Sequence, residues 1–243
     1  MPAKKKNTIH IGTSGWNYKH WKEKFYPSDI PQKKWLEFYF NHFKTVELNN
    51  SFYRLPEIKT FNNWRNSTPD DFIFSVKASR YVTHIKKLSD RESLHEFLKR
   101  AKHLKEKLGP ILFQLPPGWK YDEDRFISFT KMLPEKFKFT FEFRNESWWN
   151  EKVLGILKEK NIAFCIFEIG GKITAREVTA DFIYVRLHGP GAPYQGSYSS
   201  EVLKDWADFF STMKKKGKEI WCYFDNDQNA YAAKNAEELL KML

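Results

Sequence analysis

Residues 138–149 read KFTFEFRNESWW. Side chains alternate along a strand, so Phe139, Phe141 and Phe143 take one face and Thr140, Glu142 and Arg144 the other. A carboxylate and a guanidinium on one face make a base or nucleophile beside a fixed cation. The pattern recurs. Glu47 and Asn49 share a face of residues 45–49, and Lys77 shares one with Ser75 in 72–77. Gln114 faces away from Phe113, and Tyr184, Arg186 and His188 share a face in 182–188. Asp225 and Asn226 follow the apolar run 219–224.

If these strands gather about one axis, Glu47, Asn49, Lys77, Gln114, Glu142, Arg144, Arg186, His188 and Asp225 meet at one rim. Burying such charges is costly unless they pair, so an ion-pair network is one reading of them. A binding site is the other. Lys77, Arg144 and Arg186 suit a phosphate or carboxylate. Glu142 or Glu47 would serve as general base, and His188 as acid or base near neutral pH. A divalent metal is a competing use of Glu47, Glu142, His188, Asp225 and His84, although the nearby cations oppose a dense metal cluster. No cofactor is firmly implied. A glycosidase would pair Glu47 with Glu142, at roughly 5–5.5 Å for retention or 6.5–9.5 Å for inversion.

Aromatic residues beside turns could stack on a base or a sugar: Trp16, Tyr18, Trp21, Tyr53, Trp119, Trp148 and Tyr194. Trp149 is assigned to the following helix and the core. Of these, Trp16, Tyr53 and Trp148 join Asn226 as candidate substrate contacts. Residues 189–198, GPGAPYQGSY, form a long Gly/Pro loop of the kind that carries function.

Eight strand-like runs are needed to position these groups: 9–12, 45–49, 72–77, 111–115, 139–143, 162–168, 182–188 and 219–224. Helical spacing fills the gaps, at 33–40, 57–65, 90–107, 124–132, 148–160, 199–215 and 229–240. Strand–helix alternation argues for a parallel sheet. Eight units in 243 residues favour a closed (β/α)₈ barrel over an open doubly wound sheet. Residues 9–243 are read as one barrel domain, preceded by a basic tail at 1–8.

Lys plus Arg outnumber Asp plus Glu by 41 to 30, a net charge of +11, which favours polyanions through long-range attraction. Solvated helix faces account for many of these lysines. Cys165 and Cys222 are the only cysteines and read as buried thiols of a reducing compartment. The N-terminal lysines precede no apolar stretch, and no run approaches a membrane span. A cytoplasmic protein without membrane contact is expected.

Several blocks occur in order over nearly the whole chain. They are VELN (46–49) with FYRLP (52–56), FIFSVK (72–77) with Thr83-His84, and FQLPP (113–117). EFR (142–144) with Ser147-Trp148, VRLHG (185–189) and YFDN (223–226) follow. Together they resemble the YecE-like family of uncharacterised proteins. The resemblance implies a TIM-barrel-like fold and supplies no reaction. The family often carries Asn where this chain has Asp225, so the resemblance does not make that carboxylate essential.

The residues themselves lead to a hydrolase acting on a phosphate-containing anion, either a small molecule or nucleic acid. A glycosidase and a non-catalytic anion or nucleic-acid binder are the alternatives.

Overall fold

The computed structural model describes residues 9–243. The basic tail expected at 1–8 lies outside them. Eight parallel strands form the barrel: β1 (Ile9–Thr13), β2 (Thr45–Leu48), β3 (Ile73–Lys77), β4 (Leu108–Leu115), β5 (Phe139–Phe143), β6 (Ala163–Ile169), β8 (Phe182–Leu187) and β9 (Glu219–Phe224). The short β7 (Lys172–Ile173) runs antiparallel to β6. The order around the sheet is β1-β9-β8-β6-β5-β4-β3-β2.

Closure between β1 and β2 is partial. Just above them Ser14 bridges Glu47, and the Gly15 N–H donates to Glu47 O at 2.8 Å. Lower down a side chain spans the gap. The Tyr39 hydroxyl accepts from Thr13 N at 2.9 Å and donates to Thr45 O at 3.1 Å. A Cβ at Gly12 would meet Thr45 O at 2.2 Å, so only glycine lets these strands approach. The result is a single α/β domain, a nearly closed TIM-barrel-like fold.

Helices α1 (Trp35–His42), α2 (Asn50–Tyr53), α3 (Ile58–Asn66), α4 (Arg91–Ala101), α5 (Glu123–Lys131), α6 (Glu151–Glu159), α7 (Ser200–Lys215) and α8 (Tyr231–Lys241) connect the strands. Asp90, Asp122, Asn150 and Ser199 cap α4, α5, α6 and α7 by accepting a backbone N–H three residues on. The outward faces of the strands pack against the helices, as the alternation requires. Phe139, Phe141 and Phe143 of β5 are all in that layer. The barrel interior holds a second apolar group that includes Leu112, Cys165, Phe167, Phe182 and Trp221.

Two boundaries differ from the pattern in sequence. The helix expected to reach Lys107 ends at Ala101, and a 3₁₀ segment with Lys105 at φ 52° follows. Strand β4 starts at Leu108 rather than Ile111, taking in Gly109 and Pro110, which the sequence pattern leaves between helix and strand. Pro110 lacks an N–H, and the β3–β4 register shifts at this point, between Phe74 and Val76.

Candidate functional site

Arg186 is the centre of the rim. Strand β8 is buried along its whole length, and Arg186 is its inward cation, fully enclosed. An enclosed guanidinium needs acceptors for five N–H groups. Its Nη1 donates to Glu142 Oε2 at 2.7 Å. Its Nη2 donates to Glu47 Oε1 at 2.8 Å, to Asp225 Oδ2 at 3.0 Å and to Ser14 Oγ at 3.0 Å. Its Nε reaches Glu47 Oε1 at 3.2 Å. Burial opposes its charge, but Glu47, Glu142 and Asp225 outweigh that and hold the proton more tightly than usual.

The carboxylates are equally occupied. Glu47 Oε1 also accepts from Ser14 Oγ, and its Oε2 accepts from the Tyr184 hydroxyl at 2.6 Å. Glu142 Oε1 accepts from Arg144 Nε. Burial pushes Glu142 upward, yet Arg144 and Arg186 together keep its carboxyl well below the usual range. Asp225 behaves alike: burial raises it, and Arg186 and His188 bring it below its ordinary value.

His188 sits at the edge of this network, with Nδ1 2.9 Å from Asp225 Oδ2. Its Nε2 lies 2.9 Å from Arg144 Nη2 and 3.3 Å from Arg186 Nη1. Guanidinium nitrogens only donate, so Nε2 is the acceptor and Nδ1 carries the proton shared with Asp225. The imidazole is thereby neutral and fixed in one tautomer. It is fully buried beneath Arg144 and Tyr194, whose ring stands edge-on at 5.5 Å.

Lys77 differs from the other rim charges. Among the described residues its ammonium makes no hydrogen bond and no ion pair; it lies 4.3 Å over the Phe52 ring. Burial first, and Arg186 second, lower it to about 8, against the pull of Glu142, Glu47 and Asp225. The π-helical turn Tyr81–Ile85 places His84 nearby, and burial, Lys77 and Arg80 hold that imidazole down at about 4.

The structure brings Glu47, Glu142, Arg144, Arg186, His188 and Asp225 into one hydrogen-bonded cluster. Asn49 joins through Nδ2, which donates to Ser14 Oγ at 2.6 Å. Gln114 lies on the wall of a cavity of about 390 Å³ that Arg144, Trp149, Phe167, Ile173 and Tyr194 also line. Asn226 is elsewhere: its Nδ2 donates to Gly196 O and Asn235 Oδ1, tying the 189–198 loop to α8. Trp16 is half-buried, edge-on to Trp64 at 5.8 Å, and Tyr53 is 82% exposed on α2. The tryptophan pair is the reverse of the expectation. Trp148 is fully buried, with its indole N–H bonded to Trp119 O, while Trp149 is 40% exposed on the cavity wall. The 3₁₀ turn Glu146–Trp148 rotates the pair relative to a helix starting at 148.

Ser14 and Tyr184 were not singled out as site residues, yet both bind Glu47. Tyr184 was legible through its shared face with Arg186; Ser14 lay in a turn with no such signal. For a metal, the geometry is unhelpful. The centre of the carboxylates is occupied by a guanidinium, and among the described residues no three His, Cys, Asp or Glu side chains are grouped to hold an ion.

Residues 10–243 match the profile of a family described as "Protein of unknown function DUF72". The UPF0759 protein YunF of Bacillus subtilis is 26% identical over 97% of this chain and 94% of its own length. The UPF0759 protein YecE of Escherichia coli K12 is 31% identical over 58% of this chain and 50% of its own. The crystal structure of a DUF72 family protein from Thermotoga maritima superposes with a TM-score of 0.88, 28% identity and coverage of 97% and 98% of the two chains. These matches bear out the YecE-like resemblance and the fold that it implied.

Proposed function

The chain belongs to the DUF72 family, whose description assigns no activity, and from that premise we propose that its barrel mouth binds a small phosphate-bearing anion and hydrolyses it with His188 as the acid–base group. The observation that carries this reading is Lys77. A half-buried ammonium with no hydrogen-bonded carboxylate is costly, whereas Arg144 and Arg186 each hold at least one carboxylate directly. An anionic ligand would supply the missing partner. Arg144 is the second cation available. Its Nη1 has no acceptor among the described residues, while Nε and Nη2 hold Glu142 and His188. Gln114 lies on the strand between the two, so the cations flank it at about two strand spacings, roughly 10 Å.

Arg186 has a different part. By pairing with Glu47, Glu142 and Asp225 it weakens their repulsion of an anion, but it has no donor to spare. Asp225 fixes the His188 tautomer with the Nε2 lone pair unprotonated, as a general base requires, and facing Arg144 and Arg186. Engagement of Arg144 by the phosphate would uncover Nε2 for a water molecule. Because His188 is completely covered without ligand, binding without turnover is the second reading.

The Glu47–Glu142 glycosidase draws little support. That chemistry needs one carboxyl that keeps its proton. Glu142 is held ionised, and both oxygens of Glu47 accept hydrogen bonds.

The test is calorimetric titration with methyl phosphate, followed by turnover assays on phosphate esters. Lys77→Met and Arg144→Met are expected to weaken binding at least ~10-fold each, in the range of charge-assisted contacts. His188→Asn is expected to retain binding and lose turnover. Binding that neither cation variant alters would overturn the reading; binding with no turnover of any ester would leave only the binder.

A further inference from the structure

We infer that the cavity beside Arg144 is a subsite for a flat aromatic group, so that the ligand of the mouth is an aryl or heteroaryl anion; this rests on the anion reading above. The cavity measures about 390 Å³, within the range of small-molecule pockets. Three of its lining residues contact His188 directly: Arg144 through Nη2 at 2.9 Å, Phe167 edge-on at 6.3 Å and Tyr194 edge-on at 5.5 Å. A group seated there is therefore separated from the acid–base residue by these side chains alone.

Its walls are apolar where water would otherwise sit. Trp149, Ile173 and Tyr194 are 40%, 46% and 45% exposed, and all three border this one cavity. Clustered exposure of large apolar side chains marks a binding surface more than scattered exposure does. Each is also held in place. The Trp149 indole N–H donates to Phe143 O at 2.9 Å, which fixes the ring. Ile173 is carried on β7, whose turn uses Gly170 and Gly171 at positive φ. Tyr194 has φ 66°, a left-handed backbone that a non-glycine residue seldom adopts. The loop that imposes it is tied down by Asn226 to Gly196 O, by Gln228 to Gly196 N and by Tyr198 to Gly189 N.

The polar groups are few and suit an anion at one end. The Arg144 guanidinium stacks over Phe167 at 4.7 Å and keeps Nη1 free. Lys172 adds a second positive charge against the single carboxylate of Glu146. Gln114 Nε2 is bonded to Leu115 O, and its Oε1 has no partner among the described residues, leaving an acceptor for a ring substituent. An aromatic face meeting tryptophan, tyrosine and a planar guanidinium is the complement of this lining.

The experiment compares three probes by titration calorimetry: methyl phosphate, phenyl phosphate and neutral 2-naphthol. Each is titrated into the wild-type chain, Trp149→Ala and Ile173→Glu, with circular dichroism to confirm folding. Phenyl phosphate is expected to bind at least ~10-fold more tightly than methyl phosphate, with both variants removing most of that preference. Methyl phosphate that binds with no aryl preference sinks the subsite while the anion reading stands. If neither phosphate binds but 2-naphthol does, and Trp149→Ala abolishes it, the subsite holds and the anion reading falls. If nothing binds, both fall. Ile173→Glu guards against a misfolded tryptophan variant, since its side chain is half exposed on a two-residue strand.

Discussion

Arg186 shows how one residue decides the character of the rim. Three acidic side chains converge on it; without it Glu142 keeps Arg144, while among the described residues Glu47 and Asp225 are left with no Lys or Arg in an ion pair. Arg186→Met is therefore expected to cost about 3–5 kcal/mol at pH 7, the range for breaking a buried pair. The pH dependence has a definite sign. In the wild type, Glu142 and Asp225 titrate below their unfolded values. Their contribution is thus present above about pH 4 and lost as pH falls through the folded values. Without Arg186 those folded values rise, so the variant binds protons on folding and its deficit shrinks on acidification. Urea denaturation of both chains at pH 7 and pH 5 measures this; an equal deficit at both pH values would contradict it. Which charges face inward was legible from alternation alone. Who pairs with whom was not, because Arg144, Arg186 and Lys77 look equivalent in sequence. Only the barrel's curvature makes Arg186 saturated and leaves Lys77 without a carboxylate. The Trp148–Trp149 exchange has a similar origin, since a single 3₁₀ turn redirects both rings.

At the scale of elements, the strands were readable because each carries a strict two-residue period and a Phe-rich outer face. Short pieces were not. Helix α2, the π-helical turn at Tyr81–Ile85 and the start of β4 at Leu108 lack enough residues to show a period. The closure of β1 on β2 was also hidden, since it depends on a side chain from α1. The Tyr39 hydroxyl satisfies Thr13 N and Thr45 O in a fully buried seam. Tyr39→Phe leaves both unsatisfied and is expected to cost about 1–3 kcal/mol, the penalty for orphaned buried polar groups. Amide hydrogen exchange at Thr13 should accelerate more than at Ser14, whose N–H donates to Phe224 O of β9. Unchanged protection at Thr13 would mean that the seam is held by something else.

At the scale of the molecule, the net charge of +11 does not translate into a uniformly positive mouth. Two guanidiniums and three carboxylates neutralise one another there to within one charge, and Lys77 makes up the difference. Part of the excess lysine lies around the strand N-termini at the opposite end. A cavity of about 960 Å³ there is bordered by Lys136, Lys138, Lys160, Lys216 and Lys218 together with Glu135, Glu159, Asp181 and Glu219. Among the described residues no helix is long and apolar enough to cross a membrane. Family membership fixes the fold, and the anion reading then stands on the ammonium that the fold leaves without a hydrogen-bonded carboxylate.

The most direct measurement is the affinity of the wild-type chain and Lys77→Met for sulfate at pH 7 and pH 9. Sulfate keeps its charge over this range, whereas Lys77, at about 8, does not. Wild-type affinity should fall about 10-fold from pH 7 to pH 9, as the protonated fraction of an amine titrating near 8 does, and Lys77→Met should bind weakly and equally at both. Wild-type affinity that ignores pH, or a variant that binds as tightly as the wild type, would contradict the account.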